Sequence, residues 1–106
     1  MSQARLVRLK FKPGKEQIWL NWCQELMRRT DEVMQTLRNE GTLSESSFVS
    51  QDGESVYCFM EVEDLERAKY AFQNSTFRID KEHRAARMAS LEFVEELSPL
   101  FHFRNR

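Results

Sequence analysis

The sequence predicts an α+β domain whose four-stranded antiparallel sheet carries its helices on one face. Segments with strand-like and helix-like spacing of apolar residues follow one another in the order β-α-β-β-α-(α)-β, which is the split βαβ arrangement of a ferredoxin-like sandwich. An Asp-Gly step joins the two central strand-like segments, and such a step favours a hairpin between antiparallel strands. The chain has 106 residues, so we expect one domain over residues 1–106, because two independent cores need a longer chain.

The first strand and the first helix differ in the spacing of their apolar residues. Residues 5–12 alternate between apolar and basic side chains, which predicts a strand that ends at Pro13-Gly14. Residues 15–40 contain no Gly or Pro and repeat apolar side chains every three or four positions, so we expect one long amphipathic helix. Thr30-Asp31 could cap a second segment, which leaves a break in this helix open. Gly41 is suited to the left-handed turn that ends a helix.

The central hairpin is predicted from residues 43–50 and 55–62. Four alternate residues of its second strand share the face that we expect to meet the helices: Val56, Cys58, Met60 and Val62. Tyr57 and Phe59 then point to the opposite, open face of the sheet. Because an exposed aromatic patch marks an interaction surface, we expect a homodimer in which a second copy covers this face.

Two helical segments and a strand complete the predicted fold. Asp64 is a suitable N-cap for a helix that ends near Gln73-Asn74. A second helical stretch is predicted over residues 79–93. Residues 99–104 are predicted to form the last strand, in which two phenylalanines would add aromatic rings to a sheet face.

Composition excludes several classes of function. The chain carries 16 basic and 17 acidic residues, for a net charge of −1, which disfavours a generic polyanion binder. No run approaches the ~18 apolar residues of a membrane span. Cys23 and Cys58 lie among apolar neighbours without metal-ligand spacing, so we expect two reduced thiols. Since the first ten residues lack an apolar leader, we expect a cytoplasmic protein.

Short motifs between residues 5 and 95 carry a family resemblance. They are Phe11-Lys12-Pro13-Gly14-Lys15, Trp22, Leu26, residues 32–40, Glu45-Ser46-Ser47-Phe48 and Ile79-Asp80-Lys81-Glu82-His83. Together they resemble the DUF6176 family of small uncharacterised bacterial proteins. The resemblance implies a dimeric α+β barrel and does not imply a particular reaction.

The wider superfamily implied by this resemblance includes antibiotic-biosynthesis monooxygenases, stress-responsive barrel proteins and rhamnose mutarotase. These similar barrels work in a pocket between the sheet and the helices, often without a metal or cofactor. The mutarotase pattern needs a His in the first helix and a Trp pair after the second. Residues 15–40 contain no His, and no two adjacent aromatic residues follow Asn74, so sugar mutarotation is not expected.

The candidate site combines one histidine with two carboxylates. His83 lies three residues after Asp80, and imidazole titrates near neutral pH, so His83 could act as a general acid or base. Asp80 or Glu45 could orient it or share its proton. Trp22 and Phe48 would add an apolar wall, as is usual in a small-ligand pocket. We therefore expect a pocket between sheet and helices, with three catalytic candidates (His83, Asp80 and Glu45) and two ligand-binding ones (Trp22 and Phe48).

Simpler interpretations of the same residues stay open. Asp80 could only cap a helix and Glu45 could only protect a sheet edge, which would leave a structural dimer. Tyr57-Cys58-Phe59 has the aromatic alternation of an RNA-binding RRM sheet, but Glu54-Ser55 stands where that motif needs a basic residue and glycine. A nucleic-acid partner is therefore not expected. Neither thiols nor carboxylates show ligand spacing, so we expect no metal or other cofactor.

Overall fold

The computed structural model describes residues 2–105. Its elements are β1 Gln3–Phe11, α1 Glu16–Arg28, α2 Thr30–Glu40, β2 Thr42–Val49, β3 Ser55–Val62, α3 Leu65–Gln73, α4 Arg78–Ser90 and β4 Leu91–Leu97. The four strands form one antiparallel sheet in the order β2-β3-β1-β4. The predicted α+β class and the ferredoxin-like strand order are confirmed.

The helices pack on one face of the sheet and bury its apolar side chains there. Val7 of β1 lies opposite Cys58 of β3, and Leu9 lies opposite Val56. Within residues 2–105, eight buried residues form one core cluster: Val7, Leu9, Phe11, Trp19, Trp22, Val56, Ile79 and Leu91. Both tryptophans come from α1, whereas Ile18 and Met27 of the same predicted apolar stripe are exposed, so the stripe is core only in part.

The long helix predicted over residues 15–40 is broken at Arg29. This residue separates α1 from α2 and has φ −112° and ψ 43°, outside helical geometry. Its guanidinium Nη2 lies 2.7 Å from Glu32 of α2, and Nη1 lies 2.8 Å from Glu82 of α4. The guanidinium also lies over the ring of Trp22, 5.7 Å from the ring centroid. Arg29 therefore joins three helices at the bend.

The strand predicted over residues 99–104 is wrong. The fourth strand is β4, which begins directly after α4, and the helix predicted to reach Phe93 ends at Ser90. Leu91 is buried opposite Phe11 of β1, so the free edge of β1 is already occupied before residue 99.

The segment after β4 does not join the sheet. Phe101 and Phe103 stack on each other with ring centroids 5.2 Å apart and stay exposed, so they add no aromatic rings to a sheet face. His102 Nε2 lies 3.2 Å from a carboxylate oxygen of Glu61 in β3. In residues 2–105, no helix is long and apolar enough to cross a membrane.

Gly41 supplies the left-handed turn between α2 and β2, as the sequence predicts. Its φ is 73°, and its carbonyl oxygen accepts a hydrogen bond from the N–H of Glu63 at 2.9 Å. A Cβ at this position would lie 3.3 Å from side-chain atoms of Arg67 and Glu63. The turn places the last residue of α2 beside the first residue of β2.

We expect Gly41→Ala to lower the free energy of unfolding by about 2 kcal/mol, because a side chain is strained at positive φ and must also displace two neighbours. Gly53→Ala is the matched control, since its φ is 76° with no atom within 4 Å of the added Cβ. It should lose only the backbone part, about 1 kcal/mol. Urea unfolding measures both, and an equal loss in the two variants would contradict a role for the Gly41 contacts.

Candidate functional site

A cavity of about 800 Å³ lies between the sheet and the helices. Its wall is mostly apolar and includes Val7, Trp19, Leu26, Leu37, Met60 and Ile79. Cavities of this size with apolar walls and a few polar groups are typical of small-molecule sites. The fold therefore forms a pocket in the position that the sequence analysis expects.

The polar lining of the cavity comes largely from α4 and β2. Asp80, His83 and Arg87 line it from α4, and their spacing of three and four residues puts them on one face of the helix. Glu45 lines it from β2 and lies opposite Met60 of β3. The three residues expected to be catalytic, His83, Asp80 and Glu45, thus border one cavity.

His83 is held by aromatic side chains. The indole N–H of Trp22 donates a hydrogen bond to His83 Nδ1 at 2.8 Å. The rings of Trp19 and Phe72 meet the imidazole edge-on, with centroids 5.4 Å and 6.2 Å away. Burial, aided by the charge of Arg87, lowers the pKa of His83 to about 4. The imidazole is therefore neutral at pH 7.

Two buried carboxylates share one hydroxyl beside the cavity. Thr36 Oγ1 lies 2.6 Å from Asp80 Oδ2 and 3.3 Å from Glu40 Oε2, while the Thr42 hydroxyl donates to Glu40 Oε1 at 2.9 Å. A hydroxyl has one proton, so Thr36 can donate to only one of the two carboxylates. Burial, together with the charge of Asp80, raises the pKa of Glu40 above its ordinary value.

Glu45 is the acid whose protonation changes near neutral pH. Water reaches its side chain, but the surrounding cavity wall removes much of its hydration. This burial, with the negative charges of Glu40 and Asp80, raises the pKa of Glu45 to about 7, although Arg87 opposes the shift. The Glu45 carboxyl therefore has a pKa close to neutral pH, where it can both accept and release a proton.

The two cysteines also line the cavity. Burial raises the pKa of both Cys23 and Cys58 above that of an ordinary thiol. Each therefore stays a protonated thiol at neutral pH, which is a poor nucleophile. Both are free cysteines.

The two residues expected to bind a ligand take different places. Phe48 lines the cavity from the edge strand, although the register pairs it with Tyr57 on the other sheet face. Trp22 does not border the cavity and stands behind His83 instead. Asp80 is not the N-cap of α4, because the helix already begins at Arg78.

Three polar residues at the site were not predicted from the sequence: Thr36, Glu40 and Arg87. Thr36 and Glu40 are spaced by four residues on α2, and Arg87 lies seven residues after Asp80 on α4, so helical spacing was the available signal. Among residues 2–105, no group of three or more His, Cys, Asp or Glu side chains is arranged to hold a metal ion.

Comparisons with known proteins agree with the fold. The family model described as "Family of unknown function (DUF6176)" matches residues 2–104, which confirms the resemblance seen in the sequence. No curated protein matches the chain.

Solved structures similar to this chain include three bacterial proteins. A proposed antibiotic biosynthesis monooxygenase from Bacteroides thetaiotaomicron has a TM-score of 0.65 and 16% identity, over 99% of this chain and 95% of that one. Rv0793 from Mycobacterium tuberculosis has a TM-score of 0.62 and 14% identity, over 96% and 98%. A proposed antibiotic biosynthesis monooxygenase from Chloroflexus aurantiacus has a TM-score of 0.55 and 12% identity, over 98% of each chain. At these identities the likeness shows the fold alone.

We expect Glu45→Gln to be more stable than the wild type at pH 8 and equal to it at pH 4. The folded protein keeps the Glu45 proton up to about pH 7, whereas the unfolded chain releases it near pH 4.5, so the wild type loses stability as pH rises through this window. A permanently neutral amide avoids that loss. Because water screens the charge, the gain should be about 1 kcal/mol.

Glu92→Gln, at an exposed position of β4, is the matched control for this titration. Urea unfolding at several pH values measures each variant against the wild type, which removes the opposite contribution of His83 from the comparison. A Glu45→Gln difference that stays constant between pH 4 and pH 8 would show that Glu45 keeps an ordinary pKa.

Proposed function

The chain belongs to the DUF6176 family of unknown function, and from the geometry of its cavity we propose that it is a cofactor-independent enzyme that moves a proton on a small organic ligand. The main support for this proposal is the position and acidity of Glu45. Its side chain lines a mostly apolar cavity of about 800 Å³, and its pKa is about 7. A general base is most effective when its pKa lies near the working pH. Glu45 meets that condition.

Glu45, and not His83, is the residue that accepts and returns the proton. His83 has a pKa of about 4, so at pH 7 it is a weak base and is not protonated. Glu45 takes a proton from the ligand, holds it as a carboxylic acid and returns it to the same or a neighbouring atom. No oxidant or reductant is consumed in this cycle.

The neighbouring groups support this role for Glu45. Glu40 and Asp80 raise its pKa through their negative charge, while Arg87 limits the shift. The apolar wall supplies a surface for the body of a ligand and lowers the local dielectric constant, which strengthens each of these electrostatic effects. The chemical class that fits is a small, largely apolar molecule with one acidic proton.

We also propose that a second copy of the chain covers the open sheet face. Tyr57 and Phe59 lie on that face, opposite Arg8 and Leu6 of β1, and the helices within residues 2–105 pack on the other face. Phe48 on the neighbouring edge strand is 58% exposed. His102 and Arg104 contact Glu61 on the same face, and the remaining aromatic and aliphatic side chains there favour association, because burial removes apolar area from water.

We expect the wild type to accelerate solvent deuterium exchange into a bound carbon acid, with 2-indanone as the first probe, and Glu45→Gln to lower the rate at least 100-fold. The rate should rise with pH and level off above pH 7, because the ionised carboxylate is the active form. Proton NMR in heavy water measures the exchange, and Glu92→Gln should match the wild type. Equal rates in Glu45→Gln and the wild type would refute a base role.

We expect Phe59→Asp to convert a dimer into a monomer of 12.7 kDa, because a buried unpaired carboxylate on the open sheet face is costly. Sedimentation equilibrium at micromolar concentration measures the mass. Tyr70→Asp, at a 70% exposed position of α3, is the control and should remain dimeric. A wild type that sediments as a monomer would contradict the proposed assembly.

A further inference from the structure

The hydrogen bond between Trp22 and His83 leaves the neutral imidazole one tautomer. An indole N–H is a donor only, and Trp22 Nε1 lies 2.8 Å from His83 Nδ1. Nδ1 must therefore accept with its lone pair, so the ring proton is on Nε2. With a proton on Nδ1, the N–H groups of Trp22 and His83 would point at each other with no acceptor between them.

The other imidazole nitrogen is available to the cavity. Within residues 2–105, His83 Nε2 has no hydrogen-bond partner. Among these residues, the side-chain polar atom that is buried without a partner is Arg8 Nε, so His83 Nε2 is not a buried atom. Nε2 is thus reachable by solvent, and His83 borders the cavity. The side chain presents an N–H group to whatever occupies that space.

Trp22 is itself fixed from the other side. It is 8% exposed, and the guanidinium of Arg29 covers its ring. Arg29 is in turn bound by Glu32 and Glu82. The contacts thus run from His83 to Trp22, from Trp22 to Arg29 and from Arg29 to Glu82. Because Glu82 and His83 are neighbours on α4, this helix holds both ends of the series.

We propose that Trp22 is a positioning residue that fixes His83 as a hydrogen-bond donor toward the cavity, and that the ligand group facing His83 is a carbonyl oxygen. The carbonyl class rests on the proposed function of Glu45. When Glu45 removes a proton from the carbon next to the carbonyl, the electron pair of the C–H bond moves to the oxygen as an enolate. His83 Nε2–H donates to that oxygen, and return of the proton from Glu45 to carbon restores the ketone.

The donor role differs from a base role in a way that a substitution can separate. The amide N–H₂ of Gln can replace the Nε2–H donor but cannot take up a proton. We expect the exchange rate of 2-indanone to fall about 100-fold in His83→Leu and to recover most of that loss in His83→Gln. Equal losses in the two variants would overturn the donor role.

Nitrogen-15 NMR of the free protein tests the positioning role without any ligand. We expect His83 at pH 7 to carry its proton on Nε2 and to show scalar coupling across the hydrogen bond from Trp22 Nε1 to Nδ1. Trp22→Phe should lose the coupling and move the Nδ1 shift toward a tautomer average. Trp19→Phe is the matched control, because Trp19 contacts the same ring edge-on, and it should keep the coupling.

The results separate this inference from the proposed function. A proton on Nδ1 in the wild type, or a coupling that is absent, would overturn the positioning role even if Glu45 proves to be a base. Wild-type protein that fails to exchange 2-indanone would contradict the carbonyl class and the proposed function together, while the NMR result would still decide the role of Trp22.

Discussion

The bend between α1 and α2 at Arg29 is the constraint on which the cavity depends. A continuous helix over residues 16–40 would be about 37 Å long, whereas a nine-residue strand such as β1 spans about 30 Å. The bend lets α1 pack beside α4 and brings α2 over β2. Arg29 holds this geometry through Glu32 and Glu82. Beyond the bend, Thr36 of α2 donates a hydrogen bond to Asp80 of α4 at 2.6 Å.

Within that frame, α4 supplies three different electrostatic groups from one helical face. The Asp80 carboxyl accepts a hydrogen bond from a hydroxyl, His83 is a neutral donor and Arg87 is a cation. Arg87 lowers the pKa of both His83 and Glu45, which favours the neutral form of the histidine and the charged form of the glutamate. Asp80 raises both. The pKa values of His83 and Glu45 therefore depend on the opposing charges of Asp80 and Arg87, which lie two turns apart on α4. A change in the register of this helix would alter both pKa values.

Periodicity was sufficient to predict most elements and to bring the three catalytic candidates to one cavity, since facing elements follow from strand order. It failed where no Gly or Pro separates neighbours: α4 passes into β4 at Ser90 and Leu91 without a turn residue, so the final strand was placed too late. The side chains that contact His83 could not be predicted from the spacing of residues in the sequence either. The contact between Trp22 and His83 joins residues 61 positions apart, and only the packed structure defines it.

The two titrating groups of the site affect stability in opposite directions. Glu45 has a raised pKa, so its contribution falls as pH rises from about 4.5 to 7. His83 has a lowered pKa, so its contribution is lost as pH falls from about 6.5 to 4. Between pH 4.5 and 6.5 these slopes largely cancel. Over that range the cavity therefore holds Glu45 as a neutral acid and His83 as a neutral donor. A ligand that gives its proton to Glu45 near pH 7 therefore meets a His83 side chain that is already neutral, and the histidine does not have to change its protonation during the transfer.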